Sequence, residues 1–350
     1  MPAKKSKSPR KKTKAPRRVA KAGKPKAPRR LAKAPARKRA APIPLPDSRG
    51  KRRFLDVVTS SSALQARMMG ARTRGLTIGF VPTMGALHQG HAKLLQEGRR
   101  RADVLVASIF VNPKQFGAGE DLTRYPRSLA SDRALCEAYG VDVLFSPPVE
   151  ELYPPGFDTV VKAGLLGSIL EGASRPGHFD GVLTVVNLLL SVVQPHFAIF
   201  GEKDFQQLAL VRRMVRDLRM PVEIVAMPVL RDLDGLALSS RNAFLSEADR
   251  SKATGLYRAL MAAQDEAQKG VVSSDGFVRA ARAVLDDLEG AAVDYVEVID
   301  KTTLERIDRL PSVQAGGEAR IVMAVRLAGV RLLDNGPLFA GVRAAGVRYT

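Results

Sequence analysis

The sequence predicts an α/β protein: a Rossmann-like, doubly wound parallel-sheet domain with a smaller C-terminal α+β domain, preceded by a disordered basic tail. Three observations lead there. Apolar runs of strand length in the middle of the chain are near-continuous rather than alternating, the pattern of strands buried on both faces. Helix-period stretches separate those runs, and alternation of the two argues for parallel βαβ units. The charge is also segregated. Residues 1–46 carry 11 Lys, 7 Arg and no acid, so 18 of the net +21 lie there and the rest of the 350-residue chain stands at +3.

The tail repeats KAPRR at 14–18 and 26–30 and ends its run with KAPAR at 33–37. Its nine prolines and the mutual repulsion of its cations forbid a packed core, so disorder is expected. Charge alone gives such a segment affinity for nucleic acid or other polyanions through counterion release. The prolines also break the amphipathic helix that an organelle presequence needs.

From Phe54 the texture changes. The strand runs are LTIGFV (76–81), VLVASIFV (104–111), VDVLFS (141–146), FAIFG (197–201) and VEIVAMPV (222–229). Between them lie HAKLLQEGRRR, LASDRALCEAY, VLTVVNLLLSVV and FQQLALVRRMVRDL, all with helical periodicity. This defines a first domain over 54–229. The polar stretch RDLDG is read as a hinge into a second domain, 230–350. That domain is expected to hold two helices, at about 247–269 and 274–289, and the strand-like segments VDYVEVID and RIVMAVRLAGVRLL. No run reaches the roughly 20 apolar residues of a membrane helix, and no secretory signal precedes the body. The single cysteine, Cys136, cannot close an internal disulfide and reads as a buried thiol in a helix, so a reducing, cytoplasmic setting is expected.

Ligands of doubly wound sheets bind beyond the carboxyl ends of the strands, and the unusual polar residues of this chain cluster there. PTMGALHQGH (82–91) comes after the first run and sets His88 and His91 at the start of a helix. Helix N-termini attract anions, and imidazoles beside one can donate to phosphate or protonate a leaving oxygen. Taken by itself the pair is equally a helix cap. GEKDFQQ puts Lys203 and Asp204 directly after a strand, a point charge for phosphate and a carboxylate for ribose hydroxyls, or else a surface ion pair. LSSRN (238–242) offers two hydroxyls and a guanidinium, the donor density of a phosphate clamp or of a turn. Asn112, Gln115 and Gln207 are neutral amides suited to orienting a small polar substrate. There is no Walker loop, no G-x-G-x-x-G and no zinc-type ligand spacing.

Read together, these segments resemble the signature of the pantothenate synthetase (pantoate–β-alanine ligase) family, within the HIGH-motif nucleotidyltransferase superfamily. The likeness runs through PTMGALHQGH, FVNPKQFGAGEDLTRYPR, RPGHFDGVLTVV, FGEKDFQQLALVRRMVRDL and DGLALSSRNAFLS, and is densest between residues 78 and 246. The resemblance implies a two-step ligation. ATP adenylates the pantoate carboxylate with loss of pyrophosphate, and the β-alanine amine then displaces AMP. It implies that Met84, Gly85, Ala86, Leu87, His88, Gln89, Gly90 and His91 line the ATP site, with His91 the proton donor and both histidines at the phosphates. Gly201, Glu202, Lys203 and Asp204 would hold the nucleotide, Lys203 at the phosphates and Asp204 at the ribose. Ser239, Ser240 and Arg241 would be the counterpart of the KMSKS loop, with Leu238 beside them at the ATP site, Leu230 would meet adenine through its backbone, and Gln115 and Gln207 would grip pantoate. His91, His88, Lys203 and Arg241 are the expected catalytic set. Mg²⁺, a homodimer and a mobile second domain are implied as well.

The sequence departs from that pattern at three places. Ser131 stands where an acidic residue is common, so no metal ligand is assigned. Leu188 replaces a lysine and His196 an aspartate, both away from the signature loops, and the tail has no family counterpart. Two other functions compete. One is a nucleotidyltransferase acting on another small acid or phosphate; the other, resting on the tail alone, is a nucleic-acid-associated protein.

Overall fold

The computed structural model describes residues 55–117, 120, 122–310 and 319–338; the expected basic tail lies outside them. The described chain runs β1 (Asp56–Val58), α1 (Ser61–Thr73), β2 (Ile78–Thr83), α2 (Gln89–Arg101), β3 (Val104–Ile109), α3 (Leu129–Ala138), β4 (Val143–Phe145), α4 (Val149–Leu152), α5 (Glu171–Ser174) and α6 (His178–Val193). It continues with β5 (Phe197–Gly201), α7 (Phe205–Asp217), β6 (Glu223–Met227), α8 (Glu247–Ala253), α9 (Gly255–Gln268), α10 (Ser274–Asp286), β7 (Ala291–Asp300), β8 (Ala319–Leu327) and β9 (Val330–Leu338).

Strands β1–β6 form one parallel sheet in the order β1-β4-β3-β2-β5-β6. The chain builds outward from β2 through β3 to β4, then crosses back through α6 to lay β5 on the other side of β2. Strand order therefore reverses between β2 and β5, the switch point where doubly wound sheets bind ligands. The β2–β3 ladder persists to Thr83–Ile109, whereas β2 and β5 pair only at Gly79–Phe197 and Phe80–Ala198. Beyond those pairs the two strands part, and a crevice opens between their carboxyl ends.

Period-2 alternation along the central strands feeds two separate cores. Ile78, Phe80, Val106, Ala198 and Phe200 face α1, α6 and α7, while Val81, Leu105, Ala107, Leu144 and Ile199 face α2 and α3. Burial on both sides explains the near-continuous apolar runs. The 222–229 run departs from that reading: β6 is an edge strand with Glu223 exposed, since only β5 pairs with it. The sequence pattern predicts neither β1 nor α1. Three residues are too few to show a period, and α1 buries only Leu64, Met68 and Ala71.

The second sheet, β7-β8-β9, is antiparallel and covered on one face by α9 and α10, with Leu256, Leu260, Phe277, Leu285, Ile321, Met323 and Val325 at its centre. The helix expected at 247–269 is two helices, parted at Thr254, and a Cβ at Gly255 would stand 2.4 Å from a Leu288 methyl unless that side chain shifts. RIVMAVRLAGVRLL is likewise not one strand but a hairpin. Leu327 pairs with Val330, and both intervening residues, Ala328 (φ 50°) and Gly329 (φ 75°), have positive φ. The RDLDG link is a hydrogen-bonded turn, Gly235 N–H donating to the Asp232 carbonyl at 2.9 Å.

Two-residue hairpin turns with positive φ at both positions favour Asn-Gly, because an alanine Cβ is strained in the left-handed region. Ala328→Asn should therefore raise stability by about 0.5–1 kcal/mol, read as a higher urea midpoint at unchanged m; a lower midpoint would contradict the turn assignment.

Candidate active site

The loop after β2 owes its shape to one buried carboxylate. Asp132, 2% exposed on α3, accepts the backbone N–H groups of Ala86 (2.9 Å) and Leu87 (2.7 Å). With Thr83 Oγ1 accepting from Gly85 N–H at 3.2 Å, the turn is pinned before α2 begins. His88 is the N-cap of α2. Its Nδ1 accepts the Gly90 N–H at 3.0 Å, and the His91 Nδ1 accepts the His88 N–H at 3.3 Å. Both rings are thus fixed with Nδ1 as acceptor, which leaves Nε2 of each neutral imidazole as the N–H donor. The ring centroids lie 4.2 Å apart. A Cβ at Gly90 would stand 2.7 Å from the His88 ring, so only glycine lets that ring fold over the helix start.

Opposite this lip, β5 ends in a short 3-10 turn, Glu202–Asp204, that opens into α7. Lys203 Nζ is 3.6 Å from Asp204 Oδ1, and its side chain is largely buried while that of Asp204 is half exposed. Desolvation in the cleft pushes the Asp204 carboxyl up, but the cations of Lys203, Arg241 and Arg175 outweigh it and hold the carboxyl below its ordinary range. Burial is also the main influence on His91, whose pKa is lowered to about 4, with Asp204 opposing and Lys203 reinforcing the shift. His91 is therefore neutral at physiological pH in the free protein. The third wall is the Ser239–Arg241 segment, where Ser239 caps a 3-10 turn by accepting the Arg241 N–H at 3.3 Å and Ser240 meets the Tyr125 hydroxyl at 3.3 Å.

The fourth wall belongs to α6 and the turn after β3. Asn112 is fully buried. Its Nδ2 donates to Gln115 Oε1 and to the Gly181 carbonyl, both at 3.0 Å, and its Oδ1 accepts the Tyr153 hydroxyl at 2.8 Å. A Cβ at Gly181 would sit 2.2 Å from the Lys114 carbonyl oxygen, so α6 can approach this turn only through glycine. His178 has the Gln115 carbonyl, which can only accept, 2.8 Å from Nδ1 and the Arg175 guanidinium, which can only donate, 2.9 Å from Nε2. It must be neutral with its proton on Nδ1. Burial, reinforced by Arg175, lowers its pKa to about 4 accordingly. Arg175 pairs with Glu120 at 2.6 Å.

Most of the residues expected from the sequence share one cleft: Met84, His88, Gly90, His91, Gln115, Gly201, Lys203, Asp204, Gln207, Leu230, Leu238, Ser239, Ser240 and Arg241. Six are elsewhere. Gly85, Ala86, Leu87 and Gln89 form the turn behind the histidines, Glu202 faces away to pair with Arg320 at 2.7 Å, and Asn112 stands behind Gln115. The cleft also gathers Tyr125, Arg175 and His178, which no single-residue signal in the sequence singles out. The signal for the last two is RPGHFDG, an arginine and a histidine three apart at a helix start. Of the departures, Ser131 is an exposed residue bonded to Ser128, and Leu188 packs on the main core. His196 Nδ1 accepts the Ile78 N–H at 2.9 Å, so an imidazole supplies the acceptor that an aspartate could offer there. Cys136 is buried, and burial pushes its thiol up to about 12, which suits a packing residue.

Among known proteins, residues 56–337 match the family model described as pantoate-beta-alanine ligase. A pantothenate synthetase of Trichlorobacter lovleyi is 50% identical over 272 residues, covering 78% of this chain and 94% of the relative, and one of Acidothermus cellulolyticus is 52% identical over 261 residues, covering 75% and 85%. The crystal structure of pantothenate synthetase from Thermus thermophilus superposes with a TM-score of 0.75 at 47% identity, over 81% of this chain and 99% of that one. The pantoate-beta-alanine ligase of Francisella tularensis, solved with beta-gamma ATP and β-alanine, gives 0.66 at 33% identity over 81% and 97%. Fold, cleft and these likenesses agree: the chain belongs to the pantoate–β-alanine ligase family.

Proposed function

We propose that the protein is an ATP-dependent ligase that joins pantoate to β-alanine through a pantoyl adenylate, giving pantothenate, AMP and pyrophosphate. The observation that carries the reading is the switch-point cleft, whose lining brings His88 and His91, each left with Nε2 as its donor, together with Lys203 and Asp204 from the other parted strand. In the first step a carboxylate oxygen attacks the α-phosphorus and the α–β anhydride bond breaks. Two anions must meet, so donors and cations held in place beforehand lower the barrier. Lys203, Arg241, the two histidines and the α2 N-terminus supply them. The apolar face of α6, with Val182, Val185 and Leu189 in the wall, suits the methyl-bearing end of pantoate, and Gln115 and Gln207 its polar end. In the second step the amine attacks the acyl carbon and AMP leaves. Closure of the 230–350 part over the cleft would keep water from the adenylate.

Magnesium fits this donor set only in part. Among the described residues no three metal-ligating side chains converge, and Asp204 is the carboxylate of the cleft wall. Mg²⁺ commonly binds through one or two carboxylates together with substrate phosphates, so an ion arriving on the triphosphate suits the site. When bound it would neutralise phosphate charge.

The decisive assay supplies pantoate, β-alanine, ATP and Mg²⁺: AMP, pyrophosphate and pantothenate should form in equal amounts, and AMP formation indifferent to β-alanine would overturn the reading. Because His91 is a neutral donor, its replacement removes one preorganised hydrogen bond. His91→Ala should lower kcat by about 10²–10³-fold, and unaltered turnover would remove it from the mechanism.

The same charge states set a pH dependence. His91 and His178 titrate at about 4 in the fold against an ordinary 6.5. Between those values the unfolded chain binds more protons, so the stability that the two neutral rings contribute is complete above pH 6.5 and lost as pH falls towards 4. Tm should drop over that interval, less steeply in His91→Ala; identical slopes in both proteins would contradict the assignment.

A second reading concerns residues 1–46 alone, where 18 positive charges stand without an acid. Binding to DNA should fall steeply with salt and vanish on deletion of 1–46; retention by the truncated chain would place the contact in the body.

A further inference from the structure

The turn that carries Lys203 is held from behind. Where the turn leaves β5, an added Cβ at Gly201 would meet no atom of the described residues within 4 Å. On the other side stands β9. The Asn335 side chain, 3% exposed, donates through Nδ2 to two successive carbonyl oxygens, those of Glu202 (3.1 Å) and Lys203 (2.9 Å). Its Oδ1 is buried with no hydrogen-bond partner among the described residues, so this amide is used through its donors. Asp334 fixes the orientation of the pair. It takes the Arg231 guanidinium on both oxygens (2.6 and 2.8 Å) and accepts the Asn335 N–H at 2.7 Å. From the neighbouring strand, Arg320 grips the Glu202 carboxylate at 2.7 Å and stacks over Phe205, 4.2 Å from the ring centroid.

We propose that Asn335 is a positioning residue for Lys203: by holding the 202–203 carbonyls it sets where the ammonium stands in the cleft, and it makes that placement depend on the seating of the second sheet. The proposal rests on reading the cleft as the nucleotide site. Asn335 touches no substrate in this scheme. A backbone turn with two anchored carbonyls has its orientation set by those anchors, and a lysine on it shifts with them. The same two hydrogen bonds would also tie lid seating to nucleotide affinity by thermodynamic linkage.

The test measures ATP affinity calorimetrically in the full chain, in Asn335→Leu, which keeps the branched shape and removes the donors, in Asn335→Ala, and in each combined with Lys203→Ala. Loss of the two hydrogen bonds should weaken ATP about tenfold, with KM for pantoate and β-alanine within about twofold. In the Lys203→Ala background the same substitutions should cost less than about twofold, because the group they position is gone. A general structural defect would instead cost the same with and without Lys203, and that result overturns the proposal, as does full ATP affinity in folded Asn335→Leu or Asn335→Ala. If the leucine variant does not fold, the alanine variant carries the comparison. Failure of the unaltered chain to bind ATP would overturn the nucleotide reading and this proposal with it.

Discussion

The parting of β2 from β5 is the constraint on which the rest of the structure depends. Two parallel strands that pair at only two positions leave their carboxyl ends free to diverge, and the loops beyond them are carried to opposite lips of one crevice. Full pairing would close the gap. A parallel sheet that reverses its strand order must make such a gap once, since the crossovers on either side leave over opposite faces. The deep burial of Phe80, Ala198 and Ile199 keeps both strands rigid up to the point of divergence, so the lips are placed by the core rather than by the loops.

Within that frame, the polar groups of the cleft are preorganised by neighbours that never face it. Asp132 shapes the β2–α2 turn through two backbone N–H groups, Asn112 holds Gln115, and paired backbone contacts fix both histidine rings with Nδ1 inward. Each arrangement settles a donor before any ligand arrives, which is where electrostatic preorganisation derives its advantage over water. Burial adds a second effect. It keeps His91 and His178 neutral, so the positive charge of the cleft comes from lysine and arginine, and Asp204 stays ionised among them.

The second sheet meets the first through a mixed interface. A small apolar cluster of Phe205, Ile299, Leu304 and Val322 lies beside charged anchors: Glu202–Arg320, Arg231–Asp334 and Glu171 with Tyr295 and Arg331. Buried ion pairs contribute little net stability once desolvation is counted, but breaking one partner is costly, so they select one docking geometry. Two of the three sit next to the turn after β5 or on the link after β6, and the geometry they select is therefore felt in the cleft.

By itself the sequence determined the order of β2 to β6 and of the helices α2, α3, α6 and α7 between them, the positions of the chemistry-bearing loops after strands, and the segregation of charge into residues 1–46. These are local properties: continuous apolar runs mark doubly buried strands, and polar glycine-containing segments mark the loops at their carboxyl ends. Only the tertiary structure decided what depends on partners distant in the chain. It made β6 an edge, split 247–269 at Thr254, set Asn112 and residues 85–87 behind the lining of the cleft, and added Arg175 and His178 to it. The physical reason is the same each time. Whether a polar side chain lines a site or holds another that does is settled by where its hydrogen-bond partner lies, and for Asp132, Asn112 and Asn335 that partner is 45, 69 and 132 residues away.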